Sequence, residues 1–188
     1  MSKILSVATH DPPHIVEQSI ASVVVRERFR EGFVDIERLM SVFDNSQIRQ
    51  RHVSVPLEWF LQPHSLQERN DLYIRLATDF GVEAVNQCLR SDVFLNAPVP
   101  HEEIDAIFFI STTGMATPSI EARIMNRLPF SPHTKRIPIW GLGCAGGAAS
   151  RSAGRSTRGS AGATTGSGAA RGSAGGGRRA GVAASPAA

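Results

Sequence analysis

The chain has 188 residues, of which 41% are hydrophobic and 20% are charged, and its formal net charge is +3. This length suffices for one domain with a buried core. Neither a run of about 18 apolar residues, as a membrane span requires, nor a signal-peptide pattern is present, so we expect a cytoplasmic protein without a membrane span.

The composition changes abruptly after Ser150. The last 38 residues comprise 11 Ala, 10 Gly, 6 Arg, 6 Ser, 3 Thr, one Val and one Pro. All 17 acidic residues but only 14 of the 20 basic ones precede this segment, so the formal net charge is −3 before it and +6 within it. The excess of basic over acidic residues therefore lies in the tail, and it predicts no specific nucleic-acid partner. We interpret residues 1–149 as the folded domain and 150–188 as a low-complexity tail, expected to be disordered.

The first third of the chain predicts one strand, two helices and an extended segment. Residues 3–9 predict a strand, and the apolar spacing predicts helices over 15–30 and 35–43. An extended segment over 48–55 follows, which Pro56 ends. The apolar residues predicted to face inward on the first helix are Val16, Ile20, Val23, Val24 and Phe29.

The clearest predicted helix covers residues 66–90. Ser65 and Glu68 have the spacing of a capping box at its beginning. Its apolar side chains recur at helical spacing, which predicts a broad buried face. Gly81 interrupts this pattern and indicates a position where another element packs closely. Cys88 lies on the apolar stripe and is interpreted as a core residue.

The segment that follows predicts parallel strands around a helix. Residues 104–110 are almost all apolar, as in a strand buried on both faces of a sheet. Thr117 is predicted to cap a helix that has Pro118 at its first position and runs to Leu128. Residues 136–140 predict a further strand. This alternation indicates an α/β layered fold.

Cys144 directly follows that strand, within the sequence GLGCAGGAA. Glycines permit a tight strand-to-helix turn and the close approach of a substrate. A thiol at a helix N-terminus is favoured as the thiolate, which is a nucleophile for acyl transfer. The spacing alone fits a small buried hydrophobe equally well. The two cysteines give neither a disulfide framework nor a zinc spacing, so no metal is expected.

Three motifs occur along the chain in an order that resembles the type III polyketide synthases, the chalcone and stilbene synthase group, in their bacterial form. The motif STTG at Ser111–Gly114 precedes the proline-started helix, Lys135 and Arg136 open the strand before the cysteine, and GLGCAGG closes it. The resemblance covers about residues 3–149. A ketoacyl carrier-protein synthase of the third kind is the alternative within the same fold. The upstream positions that also fit are Pro12, Pro13, Gln18, Ile48, Arg51 and His52.

The resemblance implies the N-terminal half of a thiolase-like layered fold. It implies that Cys144 takes a starter acyl group from a CoA thioester, that malonyl-CoA then extends this group by decarboxylative condensation, and that no cofactor is needed. It also implies a homodimer in which Thr117 reaches into the partner's cavity, while Thr113 lines the acyl pocket. Arg49 and Arg51 would lie near the CoA phosphates, although such a basic cluster fits a solvated surface equally well.

The resemblance also identifies what this chain lacks. The family's catalytic His and Asn belong to its second half, and all six histidines of this chain precede Cys144. The histidine nearest to it, His133, lies in a proline-flanked loop and is expected to be exposed. We therefore expect the chain to be inactive in condensation, and we interpret the break after Ala149 as a frameshift. A genuine tail, a non-catalytic half-domain and a nonspecific nucleic-acid binder are the alternatives, and the starter unit and product are not determined.

Overall fold

The computed structural model describes residues 4–149, with only the backbone of Cys144, and the backbone of residues 180–184. These residues form two compact units. Of the described residues, the sheet unit contains 4–10, 72–149 and 180–184, and the hairpin unit contains Asp11–Asp71. The rest of the predicted low-complexity tail lies outside the described residues.

The sheet unit is built on the central strand β3, Ile104–Ser111. Strand β4, Lys135–Trp140, and strand β5, Ala180–Ala184, pair with it in parallel on its two sides. The register places Ser111 opposite Trp140. Ile104 and the four residues Ala106–Phe109 are buried, as the run of apolar residues predicts for an inner strand.

Strand β5 lies in the segment that was predicted to be disordered. Its five residues pair with β3, with Ala180 opposite Ile104. The prediction of disorder is therefore wrong for residues 180–184. It rested on side chains too small to build a core, whereas a strand pair is held by backbone N–H and C=O groups that every non-proline residue carries.

Two helices cover one face of β3. They are α4, Leu66–Leu89, and α5, Ile120–Met125. Apolar side chains of both helices and of β3 form one buried cluster. In the part of the chain that the structure describes, no helix has the length and apolar content that crossing a membrane would require. The members of the cluster are Ala77, Val85, Leu89, Ile104, Ile107, Phe109, Ile120 and Ile124.

The predicted capping box is confirmed at the beginning of α4. The Glu68 backbone N–H donates to Ser65 Oγ at 3.1 Å, and the Ser65 backbone N–H donates to Glu68 Oε2 at 2.8 Å. Hydrogen bonds from the Ser65 backbone and side chain lower the pKa of Glu68. These reciprocal bonds satisfy two donors that a helix N-terminus leaves without an intrahelical partner.

Two predicted elements of the sheet unit differ from the structure. Residues 4–9 form no strand, and Ile4 and Val7 are 78% and 57% exposed. Alternating apolar residues suit a strand, but a strand also requires a neighbour to pair with. Helix α5 begins at Ile120, after a cis Thr117–Pro118 peptide bond, with Ser119 as its N-cap residue. The predicted cap at Thr117 is therefore wrong, because Ser119 still has an extended backbone.

The hairpin unit consists of two short antiparallel strands and three helices. The predicted inward face of its first helix is wrong at Ile20, Val23 and Phe29, which are about half exposed. Val16 is buried as predicted, but it lies in the strand His14–Glu17 rather than in the helix, and the helix itself buries Ala21. The elements are β1 (His14–Glu17), α1 (Gln18–Phe29), α2 (Ile36–Asn45), β2 (Gln50–Val53) and α3 (Leu57–Leu61), of which α3 was not predicted.

Gln18 ties the elements of the hairpin unit together. Its Nε2 donates to Phe43 O at 2.9 Å and to Ser46 Oγ at 3.2 Å. Its backbone N–H donates to Arg49 O at 2.8 Å, and its Oε1 accepts from Arg51 Nε at 2.8 Å. Gln18 therefore connects the beginning of α1 to the end of α2 through its side chain, and to β2 and the segment before it through both its side chain and its backbone.

The close approach predicted at Gly81 is confirmed. A Cβ placed on Gly81 would lie 2.5 Å from Ile124 Cδ1 and 3.3 Å from Ile124 Cγ1, and Ile124 is fully buried. Helix α5 therefore packs directly on the backbone of α4.

We expect Gly81→Ala to destabilise the fold. Overpacking costs roughly 1–3 kcal/mol, which exceeds or cancels the roughly 1 kcal/mol that alanine gains in a helix. Ile124→Val removes the Cδ1 atom, so Gly81→Ala should cost less in that background. Denaturant unfolding of the four variants measures this coupling, and additive free energies of unfolding would contradict the packing argument.

Candidate active site

The turn that carries Cys144 joins β4 to a helical segment. A 3-10 helix, Gly143–Ala145, follows the strand, and residues 146–149 continue in helical geometry. Gly141 and Gly143 have φ values of +84° and +50°, which side chains disfavour. The predicted strand-to-helix turn is therefore confirmed, and glycine is required at two of its positions.

The helical segment after Cys144 lies against β3. Gly146 is buried, and a Cβ on it would overlap the side chain of Ile110. The absence of a side chain at Gly146 thus lets the turn approach the sheet. The side chain of Cys144 lies outside the part of the chain that the structure describes, so the nucleophilicity of its thiol stays a prediction.

Thr113 lies in the loop that leaves β3 beside this turn. Its side chain is exposed, and its backbone N–H donates to Ser111 Oγ at 3.2 Å. The Gly141 backbone N–H donates to Ser111 O at 3.4 Å. The sheet thus brings the Thr113 loop and the cysteine turn together at the carboxyl ends of β3 and β4.

Thr117 is exposed at the far end of the same loop, before α5. The Arg123 side chain donates to two carbonyl groups there, Pro118 O at 3.0 Å and Thr117 O at 3.5 Å. The backbone at Thr117 is therefore fixed by α5, while its side chain faces solvent.

Arg49 and Arg51 belong to the hairpin unit, and the structure gives them different surroundings. Arg49 is exposed. Arg51 is half-buried, bonded through Nε to Gln18, with its guanidinium carbon 5.2 Å from the centre of the Phe43 ring. This cation–π contact and hydrogen bond hold Arg51 in place, whereas Arg49 is free to meet an anionic ligand in solvent.

Sequence reasoning missed two polar residues of the sheet unit. Tyr73 on α4 donates from its hydroxyl to Ser111 Oγ at 2.7 Å. Glu121 on α5 is 1% exposed, and among the residues that the structure describes neither of its carboxylate oxygens has a hydrogen-bond partner. No local sequence signal identifies either one, because each is defined by a neighbour distant in the chain.

The pKa of Tyr73 is raised above its ordinary value of 10.0. Burial is the main cause, since it disfavours the charged tyrosinate. The hydrogen bond with Ser111 lowers the pKa, and the charge of Glu121 raises it again. Tyr73 therefore remains a hydrogen-bond donor at neutral pH.

Two histidines of the sheet unit have contrasting surroundings. His133 is exposed, as predicted. His101 is buried, with Nε2 3.1 Å from Asn86 Oδ1 and its ring edge-on to Phe130. Burial lowers the pKa of His101. These contacts indicate that His101 packs α4 against the beginning of β3.

Comparisons with known proteins identify a family. Residues 1–167 match the model of the family described as "Chalcone and stilbene synthases, N-terminal domain". The chain is 49% identical over 149 residues to a Bacillus subtilis protein named "Putative chalcone synthase", covering 79% of this chain and 41% of that protein. It is 32% identical to a 1,3,6,8-tetrahydroxynaphthalene synthase of Streptomyces coelicolor, covering 74% and 36% respectively. The chain thus spans about two fifths of the length of these relatives.

Solved structures have the same fold. The crystal structure of 1,3,6,8-tetrahydroxynaphthalene synthase from Streptomyces coelicolor, a bacterial type III polyketide synthase, matches 82% of this chain and 44% of its own, with a TM-score of 0.69 and 25% identity. A fungal type III polyketide synthase matches 84% and 41%, with a TM-score of 0.66 and 20% identity. The predicted α/β fold, the N-terminal half of a thiolase-like layered structure, is confirmed by these likenesses.

Tyr73 is the sole tyrosine of the chain, so the ultraviolet absorbance of tyrosinate reports its ionisation alone. We expect a pKa above 10.0 in the folded protein. Glu121→Gln should lower this pKa by removing a negative charge, and Ser111→Ala should raise it by removing a hydrogen bond to tyrosinate. A folded protein that titrates like free tyrosine, or shifts of the opposite sign, would contradict the described surroundings.

Proposed function

The chain belongs to the chalcone and stilbene synthase family, and we propose that it carries the acyl-loading step of a type III polyketide synthase. The observation that supports this most is the turn after β4, where Gly141 and Gly143 adopt positive φ angles and Gly146 packs on β3 around Cys144. Such a turn presents a nucleophile at the end of a strand while leaving room for a substrate.

In the proposed step the Cys144 thiolate attacks the carbonyl carbon of an acyl-CoA thioester. The carbon–sulfur bond to CoA then breaks, CoA leaves as a thiolate that takes up a proton, and the acyl group stays on Cys144 as a new thioester. One thioester replaces another, so the step consumes no oxidant, reductant or metal. Thr113, in the loop beside the turn, is proposed to line the pocket for the acyl chain.

Extension of the acyl group needs more than this step. Malonyl-CoA must lose carbon dioxide, and the resulting carbanion must attack the Cys144 thioester, so negative charge develops on the malonyl thioester oxygen. Oxyanion donors normally stabilise that charge. The family resemblance implies a His and an Asn in this role, but both belong to the family's second half, beyond the residues that the resemblance covers. We therefore propose that the chain by itself loads acyl groups and does not extend them.

The CoA moiety is proposed to contact two arginines, Arg49 just before β2 and Arg51 within it. Arg49 is exposed and suited to bind a phosphate group directly. Arg51 is held by Gln18 and Phe43, which supports a role in keeping this segment in place as much as direct contact. Exposed Thr117 is proposed to reach the cavity of a second copy in a homodimer, with the protein in the cytoplasm and no cofactor bound.

Two reagents test the loading step. Iodoacetamide reports the reactivity of each thiol, acyl-CoA reports transfer of the acyl group, and Cys88 serves as the control for Cys144 in both experiments. We expect Cys144 to react with iodoacetamide about tenfold faster than Cys88 at neutral pH, reflecting a larger thiolate fraction. Incubation with acyl-CoA should add one acyl mass to the intact chain and to Cys88→Ser, but not to Cys144→Ser.

Equal reactivity of the two cysteines, or acylation that persists in Cys144→Ser, would refute the proposed nucleophile. Wild-type chain given malonyl-CoA should form no polyketide. Product detected with this chain alone would show that the second half is dispensable, and would overturn the proposed restriction to loading.

Arg49→Ala should raise the acyl-CoA concentration that gives half-maximal loading by about two- to fivefold, the range for one exposed ion pair. The effect should shrink with added salt, because salt screens exposed charges. Lys135→Ala, which also removes an exposed cation, is the matched control. An equal effect of the two variants would indicate nonspecific attraction rather than a CoA contact at Arg49.

A further inference from the structure

Tyr73 connects α4 to the end of β3. It is half-buried, and its hydroxyl donates to Ser111 Oγ at 2.7 Å. Ser111 is the last residue of β3, the point where the chain leaves the sheet for the Thr113 loop. The Tyr73 hydroxyl therefore contacts the residue from which the loop begins.

Ser111 accepts two further hydrogen bonds. Its Oγ also accepts the Thr113 backbone N–H at 3.2 Å, and its carbonyl accepts the Gly141 backbone N–H at 3.4 Å. Rotation of the Ser111 side chain would break both bonds to Oγ. The Tyr73 hydroxyl thus fixes a rotamer on which the backbone position of Thr113 depends.

Gly114, the next residue of the loop, is held from two sides. A Cβ on Gly114 would overlap the Tyr73 ring, so the loop backbone lies directly on that ring. The Gly114 carbonyl accepts a hydrogen bond from Trp140 Nε1 at 3.2 Å. Trp140 ends β4, the strand that leads into the cysteine turn.

We propose that Tyr73 is a positioning residue, which acts through Ser111 to hold the Thr113 loop against the end of β4. Its ring supports the loop backbone, and its hydroxyl fixes Ser111. Because Thr113 is proposed to line the acyl pocket, this placement sets which acyl chains load onto Cys144. That last consequence rests on the proposed function, whereas the placement of the loop does not.

Tyr73→Phe tests this in the full chain, since it keeps the ring and removes only the hydroxyl. We expect amide hydrogen exchange at Thr113 and Gly114 to accelerate about two- to tenfold, the equivalent of one neutral hydrogen bond. Exchange in α5 should not change. Ser111→Ala should accelerate exchange at Thr113 at least as much, because it also removes the acceptor of the Thr113 backbone N–H. Adding Tyr73→Phe to Ser111→Ala should change little, because the Tyr73–Ser111 hydrogen bond is already lost.

Thr78→Val is the matched control. Thr78 is a buried hydroxyl residue of the same helix, and its Oγ1 donates to Ile74 O within α4. This variant loses a hydroxyl without touching the loop, so it should leave exchange at Thr113 unchanged. Loop exchange that is unaltered in Tyr73→Phe, or accelerated equally in Thr78→Val, would overturn the proposal.

The ratio of loading rates for a short and a long acyl-CoA gives a second readout. Tyr73→Phe should bring this ratio closer to one, because a loosened loop discriminates less between acyl chains. A general loss of folded protein lowers both rates together and leaves the ratio unchanged. Absence of loading in the wild-type chain refutes the proposed function, while the exchange measurement still decides the placement of the loop.

Discussion

The burial of β3 between two parallel neighbours is the constraint on which the sheet unit depends. Helices α4 and α5 pack on one face of this strand, and β4 and β5 pair with its edges. Parallel pairing brings the carboxyl ends of β3 and β4 to the same edge, with Ser111 opposite Trp140. The STTG loop and the cysteine turn therefore meet although they are distant in sequence, which agrees with the general position of sites in open parallel sheets.

Close backbone contact is the second feature that shapes this region. Helix α5 packs on Gly81, the Tyr73 ring packs on Gly114, and Ile110 packs on Gly146. At each position a methyl group would meet an atom of a neighbour, and a densely packed interior has little room to yield. The positions of α5, of the Thr113 loop and of the cysteine turn are therefore set by contacts that leave no space for a side chain.

In the hairpin unit the hydrogen bonds of Gln18 have a comparable role. They separate two arginines that the sequence presents as one basic cluster. Arg51 is bonded to Gln18 and lies over Phe43, whereas Arg49 extends into solvent. Their charges are equal, but their freedom to bind an anion differs, and this difference follows from tertiary contacts alone.

The sequence by itself determined the buried strand β3, the capping box at Ser65 and the turn around Cys144. Each depends on a local property: a run of apolar residues, the spacing of two polar ones, or glycines where φ is positive. It did not determine whether residues 4–9 find a strand partner, whether 180–184 pair with β3, or where α5 begins. Only the tertiary structure decided these, together with the Tyr73–Ser111 bond and the burial of Glu121. The physical reason is that strand pairing and buried polar contacts join residues far apart in the chain, so no local pattern specifies the partner.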